Sequence, residues 1–268
     1  TATQVCDEYQ LSIEPRPATR SKRRGHFGNE MNFFSIEEAH EQLSVTAESV
    51  VDVAAPLGNG KPKSPAWQDV AAAIPHDRSA AGLMVYHCSL PSPRVGPSPV
   101  LREFAAPSFT AERPIFDAVR ELTTRIHKDF TFDAKATTVH TRPEELLTLR
   151  RGVCQDFAHL AIGALRSLGL SARYVSGYVS TLPPPGKPRL AGADASHAWI
   201  SAYCGPLLGW IDFDPTNDAV VGESHITIGW GRDYGDACPI QGVFVGGGHH
   251  SMHVGVDVVP QSEREAAS

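Results

Sequence analysis

The stretch RRGVCQDFAHL, residues 150–160, places a cysteine where a loop containing two arginines and a glycine runs into an apolar helix. The first turn of a helix presents free backbone N–H groups and the positive end of the helix macrodipole. Both favour a charged sulfur over a neutral thiol. Cys154 is therefore a candidate thiolate nucleophile, and such a nucleophile needs a base and a group that orients the base.

Two downstream stretches supply these groups: SHAWISAY at 196–203 contains His197, and GWIDFDPTN at 209–217 contains Asp214. The segments ISAY and GWIDF have the composition of short strands, and the turn CGPLLG joins them. Antiparallel pairing brings opposite ends of a hairpin together. We therefore expect the two side chains within hydrogen-bond reach, although 17 positions separate them (214 − 197).

The strings GVCQDFA, SHAWI and WIDFDPTN resemble the transglutaminase-like superfamily of papain-related thiol enzymes, especially bacterial members known as transglutaminase-like proteins or cysteine proteases. In that family the cysteine opens a helix and the histidine and aspartate lie on neighbouring strands. The resemblance thus implies catalytic roles for Cys154, His197 and Asp214. Strand alternation puts Asp212 on the same face as Asp214, so spacing leaves both open as the orienting residue. The family's Asp-x-Thr pattern favours Asp214.

The resemblance covers most of the chain, from FGNEMNFF at 27–34 to GRDYGDACPIQGVF at 231–244. It implies an α+β fold, a transglutaminase-like core whose nucleophile helix packs on an antiparallel sheet, after a β-rich N-terminal domain. We place the β-rich, sandwich-like domain and a connector at 1–108 and the catalytic core at 109–268. Such proteins usually open with a further strand and an initiator Met. This chain begins at Thr1, so we expect a truncated or processed start.

Residue patterns predict the individual elements. Strands are expected in YQLSIEP, MNFFSI and LSVTAESVVDVA, and prolines and glycines over 55–110 indicate a connector across the surface. A helix is expected to begin near Pro114. A shorter one would be capped by Thr141 with Glu144 completing a capping box. The nucleophile helix, apolar nearly all round, should be central and stop at Gly169.

The remaining segments are expected to return to β-structure. SARYVSGYVS follows the nucleophile helix as a strand, and strands are also predicted in GVFVGGG (242–248) and MHVGVDVVP (252–260). Among single residues, Trp199 and Trp210 are interpreted as core aromatics of the hairpin and His159 as structural. A salt link near the site is the one role that the Arg-Asp-Tyr string at 232–234 suggests.

Charge and hydropathy limit the classes of partner. The chain has 268 residues, a formal net charge of −6 and a pI near 6.0, which gives no reason to expect nucleic acid. The basic run RSKRRG at 20–25 is interpreted as a solvated turn. No apolar run approaches the ~20 residues of a membrane-spanning helix. We expect a soluble protein that acts on a protein or peptide.

The cysteines and histidines indicate no bound metal. Five scattered cysteines without a C-x-x-C pair favour a reducing, cytoplasmic location over a disulfide framework or a structural zinc site. His249, His250 and His253 adjoin glycines without an acidic or thiol partner nearby, and no D-x-[DN]-x-[DN]-G calcium loop is present. A metal-independent enzyme without cofactors is expected.

The resulting hypothesis is a thiol-dependent acyl transferase that attacks peptide or glutamine carboxamide bonds and forms a thioester on Cys154. Hydrolysis would make it a cysteine protease or amidase, and capture by an amine a transglutaminase. Two alternatives remain. One is a non-catalytic protein-binding module that retains the fold. The other is a deglycosylating amidase, although amidases of that kind tend to carry zinc-binding C-x-x-C pairs.

Overall fold

The computed structural model describes residues 3–54, 62–180, 195–246 and 248–261. It divides into two compact units, Thr1–Ala54 and Ala55–Ser268. In the described ranges, no helix combines the length and apolar character needed to cross a membrane.

The N-terminal unit consists of antiparallel strand pairs. Its strands are β1 (Gln4–Glu14), β2 (Thr19–Arg24), β3 (Glu30–Ser35) and β4 (Ser44–Val53). Strand β1 pairs with β4, and β2 pairs with β3. The predicted strands of this region are thus present. The basic run, expected to be a turn, is instead strand β2, because β3 supplies its hydrogen bonds and Lys22 forms an ion pair with Glu30 at 2.6 Å.

The second unit has seven α-helices in its described part. They are α1 (Trp67–Ala73), α2 (Ala80–His87), α3 (Pro99–Ala105), α4 (Ile115–Asp129), α5 (Pro143–Leu149), α6 (Cys154–Ser167) and α7 (Tyr234–Ala237). Helix α6 is the centre of the unit, since nearly all of its residues are buried. It ends before Gly169, whose φ of 79° is the left-handed conformation expected after a helix. The predicted central helix is confirmed.

The predicted surface connector over 55–110 is wrong for the described residues from 62 onward. Helices α1 to α3 bury Val70, Val85 and Leu101 in the same core as α6. The proline at Pro99 does not break structure there, because it starts a helix whose N-cap is Ser98. The compact units divide after Ala54, whereas the sequence pattern predicts a division after residue 108.

A five-stranded antiparallel sheet packs against α6. Its strands are β7 (Ala172–Val179), β8 (Ala195–Tyr203), β9 (Trp210–Asp214), β10 (Ala219–Val220) and β11 (His225–Gly231), in the order β10-β9-β8-β7-β11. A short parallel pair, β5 (Thr131–Phe132) and β6 (Arg151–Gly152), leads directly into α6. The predicted strand after α6 and the predicted hairpin of β8 and β9 are present.

Two local predictions are wrong. Helix α5 begins at Pro143 with Arg142 as its N-cap, because the Thr141 hydroxyl accepts the backbone N–H of Thr138 at 3.0 Å instead of capping the helix. The described residues after 239 form no strand. Positive φ angles at Gly246 and Gly248 interrupt an extended conformation there, and their valine neighbours are largely exposed.

Candidate functional site

Cys154 is the first residue of α6, and hydrogen bonds fix the start of this helix. Val153 has the extended backbone of an N-cap residue, and its N–H donates to Asp156 Oδ2 at 2.8 Å. The same oxygen accepts the Thr137 hydroxyl at 2.6 Å. Burial raises the pKa of Asp156, while these two hydrogen bonds act to lower it. The half-buried Cys154 thus starts a helix whose first turn is held rigidly.

The loop before the cysteine is packed too tightly for a side chain at Gly152. A Cβ at this position would lie 2.7 Å from Asp156 Oδ2 and 2.9 Å from Leu146 Cδ1. The two arginines before Gly152 have their own partners. Arg150 lies over the Phe130 ring, and Arg151 faces Asp133 at 3.7 Å. These two contacts stabilise the loop that leads into α6.

His197 and Asp214 meet across the hairpin. His197 lies near the start of β8 and Asp214 ends β9, and His197 Nε2 is 2.8 Å from Asp214 Oδ2. A carboxylate can only accept, so Nε2 carries the hydrogen and Nδ1 is the ring nitrogen left for Cys154. The predicted approach of the two side chains within hydrogen-bond reach is confirmed.

The electrostatics of His197 favour its charged form. Burial acts to lower its pKa, but hydrogen bonds to Asp214 and Cys154, together with the charges of both groups, raise it to about 9. At neutral pH the ring is then an imidazolium between a carboxylate and a sulfur.

Asp214 is buried, with none of its surface exposed, and it accepts several hydrogen bonds. The Asn217 amide reaches Oδ2 at 2.7 Å, and the backbone N–H groups of Thr216 and Asn217 reach Oδ1 at 2.8 and 3.1 Å. Burial acts to raise the pKa of Asp214, but the donors, His197 and His225 first, hold it well below its usual range. The carboxylate is therefore a fixed anion.

Asp212, the rival for this role, has a different partner. Its Oδ2 accepts the indole N–H of Trp199 at 3.0 Å. Trp199 is fully buried in the hairpin, as expected for a core aromatic. Contacts thus distinguish two aspartates that strand spacing could not.

Helix α4 anchors the loop that follows Asp214. Arg120 forms an ion pair with the Asp218 carboxylate and donates to the Asp218 carbonyl at 2.7 Å. Thr124 donates to the same carboxylate at 2.6 Å, and His127 Nδ1 lies 2.8 Å from the Thr216 carbonyl. These α4 residues were not identified from the sequence, because they lie about 90 positions or more from their partners.

A second histidine, His225 at the start of β11, also contacts Asp214. Its Nε2 lies 3.1 Å from the same Oδ2 that bonds His197, and its side chain is almost completely buried. No motif in the sequence indicated this residue. The signal available was a histidine at the start of a strand with an alternating pattern, which alone indicates no site.

His159 on α6 and the Arg-Asp-Tyr string at 232–234 are in contact. The backbone N–H of Tyr234 donates to His159 Nε2 at 3.1 Å, and burial lowers the pKa of His159 to about 4. Asp233 accepts the backbone N–H groups of Arg94 and Gly235 at 3.0 and 2.8 Å. Arg232 pairs with Asp236 at 2.9 Å. His159 is thus a buried hydrogen-bond acceptor, and the string supports the packing of α7.

Two of the other cysteines are buried, and the three histidines near the C-terminus are exposed. All five cysteines are free, and burial raises the pKa of Cys88 and brings that of Cys204 to about 12. Within the described ranges, no three His, Cys, Asp or Glu side chains are grouped to hold a metal ion. The cluster His249, His250 and His253 is exposed.

Comparison with known proteins gives consistent matches. Residues 102–215 match the model of the transglutaminase-like superfamily, and residues 1–52 match the bacterial transglutaminase-like N-terminal region. An uncharacterized protein of Mycobacterium tuberculosis is 42% identical over 261 residues, which are 96% of this chain and 82% of that protein. Another, from Mycobacterium leprae, is 32% identical over 250 residues, or 92% and 84% of the two chains.

Among solved structures, a Cytophaga hutchinsonii protein provisionally described as a cysteine protease matches with a TM-score of 0.68. The match has 24% identity and covers 89% of this chain and 74% of that one. At this identity the likeness concerns the fold. Together with the family match, it confirms the α+β fold expected from the sequence.

Proposed function

The chain belongs to the transglutaminase-like superfamily, and from this premise we propose that it is a thiol-dependent acyl transferase acting on peptide or glutamine carboxamide bonds. The observation that carries the proposal is the His197–Asp214 hydrogen bond at 2.8 Å, with the same imidazole interacting with the cysteine that opens α6. The proposed catalytic residues are Cys154, His197 and Asp214.

The chemistry follows from the charges. The Cys154 thiolate adds to the carbonyl carbon, and the oxygen takes up negative charge. The backbone N–H of Cys154, which makes no backbone hydrogen bond among the described residues, can donate to that oxygen. His197 then gives its proton to the leaving nitrogen as the C–N bond breaks and a thioester forms. Water releases the acyl group as a carboxylic acid, and an amine releases it as a new amide.

Alkylation of Cys154 by iodoacetamide tests the proposal without a substrate. At pH 6 the wild-type thiolate is expected to react on the order of a hundredfold faster than in His197→Ala, because a free thiol ionises only near about 8.5. Mass spectrometry of each cysteine peptide against time measures this, with the other four cysteines as internal references. The exposed His140 provides a matched control, His140→Ala, which should react like the wild type.

Equal rates at pH 6 in the wild type and His197→Ala would overturn the enzyme proposal. A protein-binding module with an ordinary thiol would then be the better account.

Because an active thiolate has to stay unpaired, we also propose that the protein is located in the reducing cytoplasm.

The pKa of His197 predicts the alkaline limit of amide turnover. Above about 9 the imidazolium loses the proton that the leaving nitrogen needs, so turnover of a p-nitroanilide should fall as pH rises through about 9. Acylation of Cys154 by the p-nitrophenyl ester of the same acid should not fall, because its leaving group needs no proton. Rates against pH, corrected with Cys154→Ser, measure both. A parallel decline of the two rates would contradict this role of His197.

The raised pKa of His197 also affects the free energy of unfolding. The folded-state pKa of His197 lies above its unfolded value near 6.5, so its stabilising contribution is complete below that value and is lost as pH rises through about 9.

A further inference from the structure

We infer that His225 is a positioning residue for the proposed reaction: it donates a hydrogen bond to Asp214 and thereby holds the carboxylate in the orientation that His197 requires. The inference rests on the proposed function and adds a fourth side chain to its three residues. His225 itself would touch neither the substrate nor the reacting sulfur.

The path of the chain brings His225 to the carboxylate. Strand β10 lies at one edge of the five-stranded sheet and β11 at the other, so the segment 221–224 between them has to cross from edge to edge. Val221 packs against Trp199, and the His225 ring meets the Trp199 ring nearly edge-on, with centroids 5.3 Å apart. The crossing therefore runs over the sheet face that carries Trp199. It places His225 beside Asp214.

The contacts of His225 determine which ring nitrogen carries the hydrogen. Nε2 faces the Asp214 carboxylate at 3.1 Å, and Nδ1 faces the Ser224 hydroxyl at 3.1 Å. Because a carboxylate only accepts, Nε2 has to donate. In a neutral ring Nδ1 then accepts from the serine. His225 can thus serve as a neutral donor, and Asp214 keeps its negative charge for the imidazolium of His197.

The three side-chain donors to Asp214 Oδ2 come from different parts of the fold. His197 donates from β8, Asn217 from the loop after β9, and His225 from the start of β11. A carboxylate held from several directions cannot rotate about its Cβ–Cγ bond without losing hydrogen bonds in a buried site. Loss of the His225 donor is therefore expected to affect the His197 ring through the movement of Asp214.

Four proteins test this by the same alkylation assay: the wild type, His225→Phe, His225→Gln and Ser224→Ala. Phenylalanine fills the space without a donor, whereas the glutamine amide can replace the Nε2 hydrogen. At pH 6 we expect His225→Phe to react about tenfold more slowly, a loss that corresponds to one charge-assisted hydrogen bond. His225→Gln should stay close to the wild type, and Ser224→Ala should fall between the two.

Two further readouts separate positioning from general damage. At pH 10, where a free thiol is also ionised, all four proteins should react at similar rates. Long-range ¹H–¹⁵N spectra of the wild type should show that Nε2 of His225 carries a hydrogen. Because this measurement needs no variant, it can overturn the inference even where His225→Phe does not fold.

Three results would overturn the inference: equal rates for His225→Phe and the wild type at pH 6, equal losses for His225→Phe and His225→Gln, or an Nδ1–H tautomer. Failure of the proposed function is distinct, because His197→Ala would then also match the wild type. If His197→Ala slows alkylation and His225→Phe does not, the acyl-transfer proposal stands and the role of His225 falls.

Discussion

Asp214→Asn is expected to lower amide turnover about 10⁴-fold, the loss typical of removing the carboxylate that orients a catalytic histidine. An asparagine amide would place an N–H group among the donors of His197, Asn217 and His225, or turn that group toward two backbone N–H groups. Either arrangement removes the anion that stabilises the imidazolium. Turnover of the p-nitroanilide, with protein concentration corrected by far-UV circular dichroism, measures the effect.

Asp212→Asn is the matched control, because Asp212 lies two positions away on the same strand and its carboxylate bonds the Trp199 indole. An asparagine oxygen can accept that N–H equally well, so turnover should stay within a few fold of the wild type. Equal losses in the two variants would mean that the effect comes from the strand and not from the carboxylate at His197. An inactive Asp212→Asn beside an active Asp214→Asn would reverse the assignment.

Asp214→Asn should also lose stability near neutral pH. The folded-state pKa of Asp214 lies below its unfolded value, so its stabilising contribution is present above about 3.9 and is lost as pH falls. Thermal unfolding of the wild type and the variant should therefore differ at pH 7 and converge in acid. This change in stability does not account for the turnover loss where the variant remains folded at the assay temperature.

The position of the candidate site could be predicted because short-range features determine it. Cys154 opens a helix whose apolar residues continue on all sides. The hairpin of β8 and β9 brings His197 to Asp214 by strand pairing alone. Both features can be recognised in windows of about 20 residues. Strand spacing could not choose between Asp212 and Asp214, and the Asp-x-Thr pattern of the resemblance made that choice. In the structure Asp212 accepts the Trp199 indole N–H, and Asp214 bonds His197.

The parts that sequence could not predict depend on long-range contacts. Helices α1 to α3 lie among prolines and glycines, and their short apolar faces become recognisable only when they are packed in the core that also contains α6. His225 and Arg120 stabilise the Asp214 loop from other elements, through hydrogen bonds that no local pattern indicates. Conversely, the valine-rich segment after 239 has strand composition, yet among the described residues it forms no strand.

Gly177→Ala is expected to destabilise the protein by about 3 kcal/mol and to slow alkylation of Cys154. Gly177 lies opposite His197 in the pairing of β7 with β8. An added Cβ would lie 2.2 Å from Trp199 Cη2 and 2.3 Å from the backbone oxygen of Ile226. The indole could move, but the backbone oxygen belongs to β11 and moves only with that strand.

The expected loss of reactivity follows from the neighbours of that indole. Trp199 bonds Asp212 and packs against His225, so a displaced ring would disturb the hairpin and the donor to Asp214 together. Gly222→Ala is the control, since its Cβ would meet nothing within 4 Å and its stability should change by less than about 1 kcal/mol. Urea unfolding and the alkylation rate at pH 6 measure both effects. If Gly177→Ala behaves like Gly222→Ala, Trp199 can move without affecting His197, and the close packing at Gly177 does not position the site.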